Sequence, residues 1–355
     1  MKIDELDTPC LVLDLDRVES NIARMAEFMK GASASLRPHF KTPKCPEVAR
    51  RQLEAGAIGI TVAKLGEAEV LADAGLGPIL MANQVVGSVK IDRLMALLAR
   101  GVDITIAVES EFNIKELADG AKRSGQKPAA IIEVDSGMHR CGTTDPADTV
   151  RLARALIDAG IDYRGIMGYE GHAVLLEDAE ERRTKAEAAL TIVGEHVEAL
   201  AEAGLAPGIV SVGGTGTHEI AANFAHVTEV QAGSYVFMDG RYQDVMPGKF
   251  ESALSMLTTV VGVKERYAVC DAGMKSLTNE FGPPKSVDGS FKVARLSEEH
   301  AFLTGDGIAG LKTGDRVAVI PSHGDTTLNL HSTYHIVRNG EVIDHWPILA
   351  ARKYH

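Results

Sequence analysis

Short β-branched apolar runs alternate with longer segments of helical hydrophobic periodicity through the first two thirds of the chain. The apolar runs predict strands at 36–41, 59–63, 78–83, 103–108, 129–135, 163–169, 209–213 and 230–238. The longer segments predict helices at 17–30, 44–55, 65–74, 88–100, 110–124, 146–159 and 178–204. Strands that alternate with helices in this number predict an α/β fold, a (β/α)8 barrel of the TIM type. A doubly wound parallel sheet is the alternative.

The pattern changes near residue 252, after which strands follow one another without helices between them. These strands are predicted at 254–263, 267–271, 291–296, 316–321 and 333–345. Asn339-Gly340 interrupts the last of them and predicts a two-residue hairpin. The N-terminal run 8–16 could pair with these strands. We therefore predict a barrel over 17–245 and a C-terminal all-β domain formed by 1–16 together with 246–355.

Length and composition narrow the possible functions. The chain has 355 residues, whereas a barrel alone needs roughly 250, so the β domain accounts for the surplus. A net charge of −12 argues against a nucleic-acid partner. No apolar run is long enough to span a membrane, and the N-terminus lacks the apolar core of a secretory signal. The expected location is the cytoplasm. The four cysteines lack the spacing of a disulfide framework or a thiolate zinc site.

A glycine-rich turn, Gly213-Gly-Thr-Gly-Thr217, follows the seventh predicted strand. Barrels that bind phosphate commonly do so with the loops after strands seven and eight. Backbone without bulky side chains brings N–H groups close to an anion. The turn therefore predicts a phosphate site, with a flexible turn as the alternative interpretation.

Lys41 stands at the end of the first predicted strand. Burial there would favour the neutral amine that Schiff-base chemistry needs, although most lysines only extend into solvent. A strand-end lysine combined with a phosphate site suggests pyridoxal phosphate, whose aldehyde would bind the lysine and whose phosphate would bind the glycines.

The segment Pro321-Ser-His-Gly-Asp325 ends a strand of the β domain. On an extended chain, His323 and Asp325 would point to the same side and could hold one divalent cation. Two protein ligands would leave coordination positions for water and substrate. Ordinary hydrogen bonding is the alternative for this pair.

These residues belong to a series of motifs that resembles one known family in both content and order. The motifs are Asp7-Thr-Pro9, Arg37-Pro-His-Phe-Lys-Thr42, Gly66-Glu-Ala-Glu69, Glu133-Val-Asp-Ser-Gly-Met-His-Arg140, Gly213-Gly-Thr-Gly-Thr217, Gln231-Ala-Gly-Ser-Tyr235 and Pro321-Ser-His-Gly-Asp325. The chain resembles the D-threonine aldolase, D-3-hydroxyaspartate aldolase and D-serine dehydratase family. This family is the metal-activated branch of the alanine-racemase-like, fold type III pyridoxal-phosphate enzymes.

The resemblance implies a role for each matching residue. Lys41 would carry the cofactor, and His323 and Asp325 would be the metal ligands. Further cofactor contacts would come from Arg140, Tyr169, Gly214, Thr215, Gly233, Ser234 and Tyr242. The oxygen ligand in the His-x-Asp pair suits Mn²⁺ or Mg²⁺, whereas the dehydratase branch typically shows His-x-Cys. The resemblance also implies a homodimer.

The activity implied is that of a carbon–carbon lyase, an aldolase that cleaves D-3-hydroxy amino acids into glycine and an aldehyde. The substrate would resemble D-threonine or D-3-hydroxyaspartate. His172 is the candidate base at the β-hydroxyl, with a structural loop histidine as the alternative. The rival functions are dehydration of D-serine or another D-3-hydroxy amino acid and, more remotely, non-catalytic binding of pyridoxal phosphate. The sequence leaves open the substrate side chain, the metal, the base and the oligomeric state.

Overall fold

The computed structural model describes all 355 residues. The chain divides into two compact units. The barrel unit comprises Met25–Lys41, Val48–Gly233 and Lys353–His355. The β unit comprises Met1–Arg24, Thr42–Glu47 and Ser234–Arg352.

Strands and α-helices are numbered along the whole chain. The strands are β1 (Cys10–Asp14), β2 (Ser35–Leu36), β3 (Ile60–Val62), β4 (Ile79–Gln84), β5 (Ile104–Val108), β6 (Ala129–Val134), β7 (Asp162–Gly168), β8 (Ile209–Val212), β9 (Glu229–Val230), β10 (Leu254–Val263), β11 (Ala268–Cys270), β12 (Lys285–Ser286), β13 (Lys292–Leu296), β14 (Ala301–Thr304), β15 (Arg316–Ile320), β16 (Thr333–Arg338) and β17 (Glu341–Pro347). The helices are α1 (Leu15–Lys30), α2 (Pro46–Glu54), α3 (Leu65–Asp73), α4 (Ser88–Ala99), α5 (Glu111–Ser124), α6 (Pro146–Asp158), α7 (Ala179–Glu202), α8 (His218–Ala221), α9 (Gly240–Val245) and α10 (Gly324–Leu328). None of the helices combines the length and apolar character that crossing a membrane requires.

The barrel unit contains an eight-stranded parallel sheet in the order β2-β9-β8-β7-β6-β5-β4-β3. Backbone bonds from Ile58 N–H to Leu36 O and from Thr61 N–H to Pro38 O connect the two ends of this sheet. The predicted barrel is therefore confirmed, and the doubly wound alternative is wrong. All the predicted barrel strands and the helices between them are present.

The first and eighth barrel strands are much shorter than predicted. β2 ends at Leu36, and beyond it only His39 forms an isolated bridge, to Thr61. β9 ends at Val230, and a short 3₁₀-helix begins at Ser234. The segments after β2 and β9 therefore leave the sheet early, and their polar residues lie on loops.

Apolar packing and a buried ion pair hold the barrel together. Leu80, Ala107, Ile131 and Met167 come from four adjacent strands and form one buried cluster, as expected for the layered interior of a barrel. Arg37 and Glu229 form a buried, two-pronged pair, with both N···O distances at 2.9 Å. This pair links the chain after β2 to β9, and each charge compensates the other.

The β unit contains a nine-stranded sheet in the order β11-β14-β13-β12-β15-β10-β1-β16-β17. β10 also pairs with β11, which closes part of the sheet into a barrel. β1 lies between β10 and β16, so the predicted pairing of the N-terminal run is confirmed. The hairpin between β16 and β17 is also confirmed, with Asn339 and Gly340 both at positive φ.

Candidate active site

Lys41 and Tyr169 lie together at the end of the barrel unit where strands terminate. The Nζ atom of Lys41 is 5.9 Å from the centroid of the Tyr169 ring. The Lys41 N–H donates to Nδ1 of His39 at 3.2 Å, which fixes the backbone of the lysine. Tyr169 directly follows β7. In barrels this end of the strands is where catalytic groups are found.

The turn after β8 is buried and held by its own hydrogen bonds. Thr217 N–H donates to Gly214 O at 3.2 Å, and Gly214 N–H donates to Thr217 Oγ1 at 3.1 Å. Thr215 and Gly216 therefore occupy the centre of the turn. Gly216 is buried, and its N–H donates to no group of the protein. Because buried N–H groups almost always have an acceptor, this amide is suited to an anionic oxygen.

The glycines of this turn allow close packing against neighbouring segments. A Cβ on Gly214 would lie 2.9 Å from Cγ1 of Val174 and 3.3 Å from Cε2 of Tyr169. A Cβ on Gly216 would lie 1.9 Å from the carbonyl oxygen of Val174. The turn is therefore closely packed, in contrast to the flexible-turn interpretation, and it lies beside the same tyrosine ring as Lys41.

Glu170 is a residue of this region that the sequence interpretation missed. Its side chain is buried, and Oε2 accepts the N–H of Gly213 at 3.2 Å. Oε1 accepts the hydroxyl of Thr217 at 2.6 Å. Burial raises the pKa of this carboxyl group, and the bonds from Thr217 and Gly213 oppose the rise. Its position directly after Tyr169 was the only signal in the sequence.

Arg140 is tied to a buried carboxylate at the end of β6. Its Nη2 lies 3.6 Å from Oε1 of Glu133, and Gln84 donates a hydrogen bond to the other oxygen of Glu133. Burial raises the pKa of Glu133, while the bond from Gln84 and the charge of Arg140 lower it. Arg140 remains about half exposed, with a side-chain exposure of 53%.

His172 lies in the loop after β7, against the loop that contains Arg140. Its Cε1 is 3.3 Å from the position that a Cβ on Gly137 would occupy. Partial burial lowers the pKa of His172, the neighbouring Lys185 and His139 lower it further, and the charge of Asp135 opposes this shift. The imidazole is therefore neutral near pH 7 and able to accept a proton.

Gly233, Ser234 and Tyr242 are three further predicted cofactor contacts. The first two fall where the sequence passes from the barrel unit to the β unit. Gly233 is the last residue of its segment in the barrel unit, and Ser234 is the next residue along the chain. Within the β unit, the Ser234 hydroxyl lies 3.4 Å from that of Thr42. Tyr242 is buried in α9, and its N–H donates to Oδ1 of Asp239 at 3.0 Å.

His323 and Asp325 lie at the start of α10 in the β unit. The prediction that they share an extended chain is wrong, because His323 is the N-cap of this helix and Asp325 is in its first turn. The chain therefore turns into the helix at Gly324. Asp239 stabilises this bend, because its Oδ2 accepts the N–H of Gly324 at 2.7 Å.

Asp239 forms an electrostatic cluster with these two residues. Burial raises the pKa of Asp239 to about 6, and the charge of Asp325 adds to the rise. Hydrogen bonds from Gly324 and Tyr242 and the charge of His323 lower it. A divalent cation near this cluster would offset the cost of two neighbouring carboxylates.

Glu280 orients the ring of His323 and was not identified from the sequence. The Nδ1 atom of His323 lies 2.6 Å from Oε2 of Glu280, and the ring packs on Phe281 at a centroid distance of 4.9 Å. An imidazole whose Nδ1–H is held by a carboxylate presents Nε2 as a metal ligand. No group of three or more His, Cys, Asp or Glu side chains is arranged around a potential metal position.

The comparisons with known proteins assign the family. The family model described as the alanine racemase N-terminal domain matches residues 13–240. The chain belongs to the alanine-racemase-like, fold type III pyridoxal-phosphate family. A second model, described as a serine dehydratase domain, matches residues 253–337.

Relatives in this family match the chain over nearly its whole length. A 3-hydroxy-D-aspartate aldolase from Paracoccus denitrificans (strain Pd 1222) is 37% identical and covers 99% of this chain and 94% of its own. A D-threonine aldolase from Arthrobacter sp. is 36% identical and covers 97% of this chain and 93% of its own. The crystal structure of D-threonine aldolase from Filomicrobium marinum has a TM-score of 0.96 and 34% identity, covering 99% of this chain and 97% of its own.

The barrel unit of this chain fits the family's cofactor. It brings the amine of Lys41 and the ring of Tyr169 next to a buried turn with an unused N–H group at Gly216. A phosphate group would supply the missing acceptor at this amide. In the β unit, the imidazole of His323 and the carboxylate of Asp325 are donors of the kind that Mn²⁺ and Mg²⁺ accept.

Proposed function

We propose that the chain is a carbon–carbon lyase that cleaves D-3-hydroxy amino acids into glycine and an aldehyde, using pyridoxal phosphate and Mn²⁺ or Mg²⁺. The proximity of Lys41, Tyr169 and the buried turn carries this proposal, because it combines an amine, an aromatic ring and an anion site. Relatives named as aldolases at 36–37% identity support the type of reaction.

The residues of the barrel unit would hold the cofactor. Lys41 would bind its aldehyde, the turn at Gly214 and Thr215 would bind its phosphate, and Tyr169 would contact its ring. The bound cofactor supplies an electron sink for the pair released when the Cα–Cβ bond breaks. Arg140, Gly233, Ser234 and Tyr242 stay predicted contacts.

Deprotonation of the substrate β-hydroxyl would fall to His172. Its lowered pKa keeps the ring neutral near pH 7, as a general base requires. A metal held by His323 and Asp325 would supply positive charge that lowers the pKa of the hydroxyl. The homodimer, the cytoplasmic location and the substrate side chain stay predictions.

Separate incubations with D-threonine, D-3-hydroxyaspartate and D-serine test the reaction. D-Threonine is expected to give equal amounts of glycine and acetaldehyde, and L-threonine serves as the stereochemical control. Ketoacid and ammonia without glycine would instead establish a dehydratase, the alternative favoured by the serine dehydratase model at 253–337. Rates with the three D-substrates would also identify the preferred side chain.

The pH dependence of cleavage tests the role of His172. Because its pKa is lowered from 6.5, kcat/KM is expected to stay level near neutral pH. It should decline only as the pH falls below about 6.5, where the ring becomes protonated. His172→Gln should lower kcat about 10²-fold and remove this acidic limb. An unchanged pH profile in the variant would assign the base to another group.

A further inference from the structure

Glu170 is a buried acid that makes no ion pair. Its side chain is almost fully enclosed, with 1% of the residue exposed, and its hydrogen bonds come from Gly213 and Thr217. Buried acids are rare unless their polar atoms are satisfied. Glu170 lies beside a turn suited to an anion and has no cation to pair with. Attraction to a positive charge therefore does not explain its position.

The bonds of Glu170 join the two ends of the turn. One oxygen holds the N–H of Gly213, at the start, and the other holds the hydroxyl of Thr217, at the end. Thr217 in turn accepts the N–H of Gly214. These hydrogen bonds use the N–H groups of Gly213 and Gly214 and the hydroxyl of Thr217. The N–H of Gly216, in the centre of the turn, is left without a partner in the protein.

We propose that Glu170 is a positioning residue that holds the turn at 213–217 in the shape that binds the phosphate group of the cofactor. This inference rests on the proposed use of pyridoxal phosphate and goes beyond it, because Glu170 acts on the phosphate end alone. The aldehyde end is bound through Lys41, which has no hydrogen bond to Glu170 in the structure.

Burial shifts the carboxyl group of Glu170 toward its neutral form. Burial raises the pKa of Glu170, and a nearby phosphate would raise it further because like charges repel. A protonated carboxyl group keeps an oxygen that accepts Gly213 N–H and gains an O–H that donates to Thr217 Oγ1. Glutamine has the same pattern of one acceptor and one donor, so Glu170→Gln is a close mimic of the neutral acid.

Binding of pyridoxal phosphate and of pyridoxal to the cofactor-free, full-length protein tests the proposal. Both molecules carry the aldehyde, and only the first carries the phosphate. Glu170→Ala is expected to weaken pyridoxal-phosphate binding about tenfold or more, the equivalent of losing one or two buried hydrogen bonds. Binding of pyridoxal should stay within about twofold, and Glu170→Gln should restore phosphate binding to within about threefold of wild type.

A matched control is Glu67→Ala. Glu67 is also buried, and its Oε2 accepts the N–H of Ala63, which directly follows β3, at 2.7 Å. This variant should leave the ratio of the two dissociation constants unchanged. If Glu170→Ala fails to fold, Thr217→Val removes the partner hydroxyl and should likewise raise the dissociation constant of pyridoxal phosphate relative to that of pyridoxal.

Two outcomes would overturn the proposal. An equal loss of pyridoxal and pyridoxal-phosphate binding in Glu170→Ala would show a general structural role, and no loss of either would show no role. In both cases normal binding by the wild-type protein would leave the proposed function intact. Failure of the wild-type protein to bind pyridoxal phosphate would overturn the proposed function itself.

Discussion

Replacement of Lys41 by alanine is expected to lower kcat for cleavage by about 10⁴-fold or more, as for loss of other covalent catalytic groups. Lys41 is the amine whose Nζ lies 5.9 Å from the Tyr169 ring centroid, beside the buried turn. Without this amine the cofactor loses its covalent attachment. Borohydride reduction followed by mass spectrometry should find the cofactor fixed to Lys41 in the wild-type protein and absent from the variant.

Lys64→Ala is the control for this experiment. Lys64 is an exposed lysine that follows β3 and precedes α3, so it also lies at a strand end of the barrel unit. This variant should keep the reducible adduct. An adduct that persists in Lys41→Ala and disappears in Lys64→Ala would move the cofactor lysine to the next strand.

The elements of the barrel were predictable because local sequence determines them. β6 is buried at every position and apolar at all of them except Glu133, as expected for a strand buried on both faces. Ser110 and Asp145 cap α5 and α6 through bonds to backbone N–H groups, which is a local signal for a helix start. The order of strands then placed Lys41, Tyr169 and the turn after β8 at one end of the barrel.

The supporting residues of the site were not predictable in the same way. Glu170 and Glu280 are isolated acids in the sequence, and their roles arise only from contacts with distant segments: Glu170 with the turn after β8, and Glu280 with His323. The bend at Gly324 likewise depends on Asp239, which lies far away in the chain. A pattern of alternating side chains contains no information on such a bond, so the segment was predicted as extended.

Removal of the divalent metal is expected to lower kcat by about 10³-fold or more, because a Lewis acid contributes several kcal/mol to stabilising developing charge. EDTA treatment should abolish cleavage, and Mn²⁺ should restore it. The Mn²⁺ dissociation constant, measured by electron paramagnetic resonance, gives a readout that is independent of activity. Full activity in EDTA would contradict the metal requirement.

His323→Ala is expected to lose Mn²⁺ binding and the rise in unfolding temperature that a ligand of the folded state produces. The reason is that His323 is held by Glu280 with its Nδ1 engaged at 2.6 Å, which leaves Nε2 as the metal donor. His300→Ala removes an exposed imidazole from the same unit and should retain both effects. If His323→Ala binds Mn²⁺ as tightly as the wild-type protein, the metal site lies elsewhere. Loss of Mn²⁺ binding in His323→Ala but not in His300→Ala would link the short helix α10 to the chemistry of cleavage.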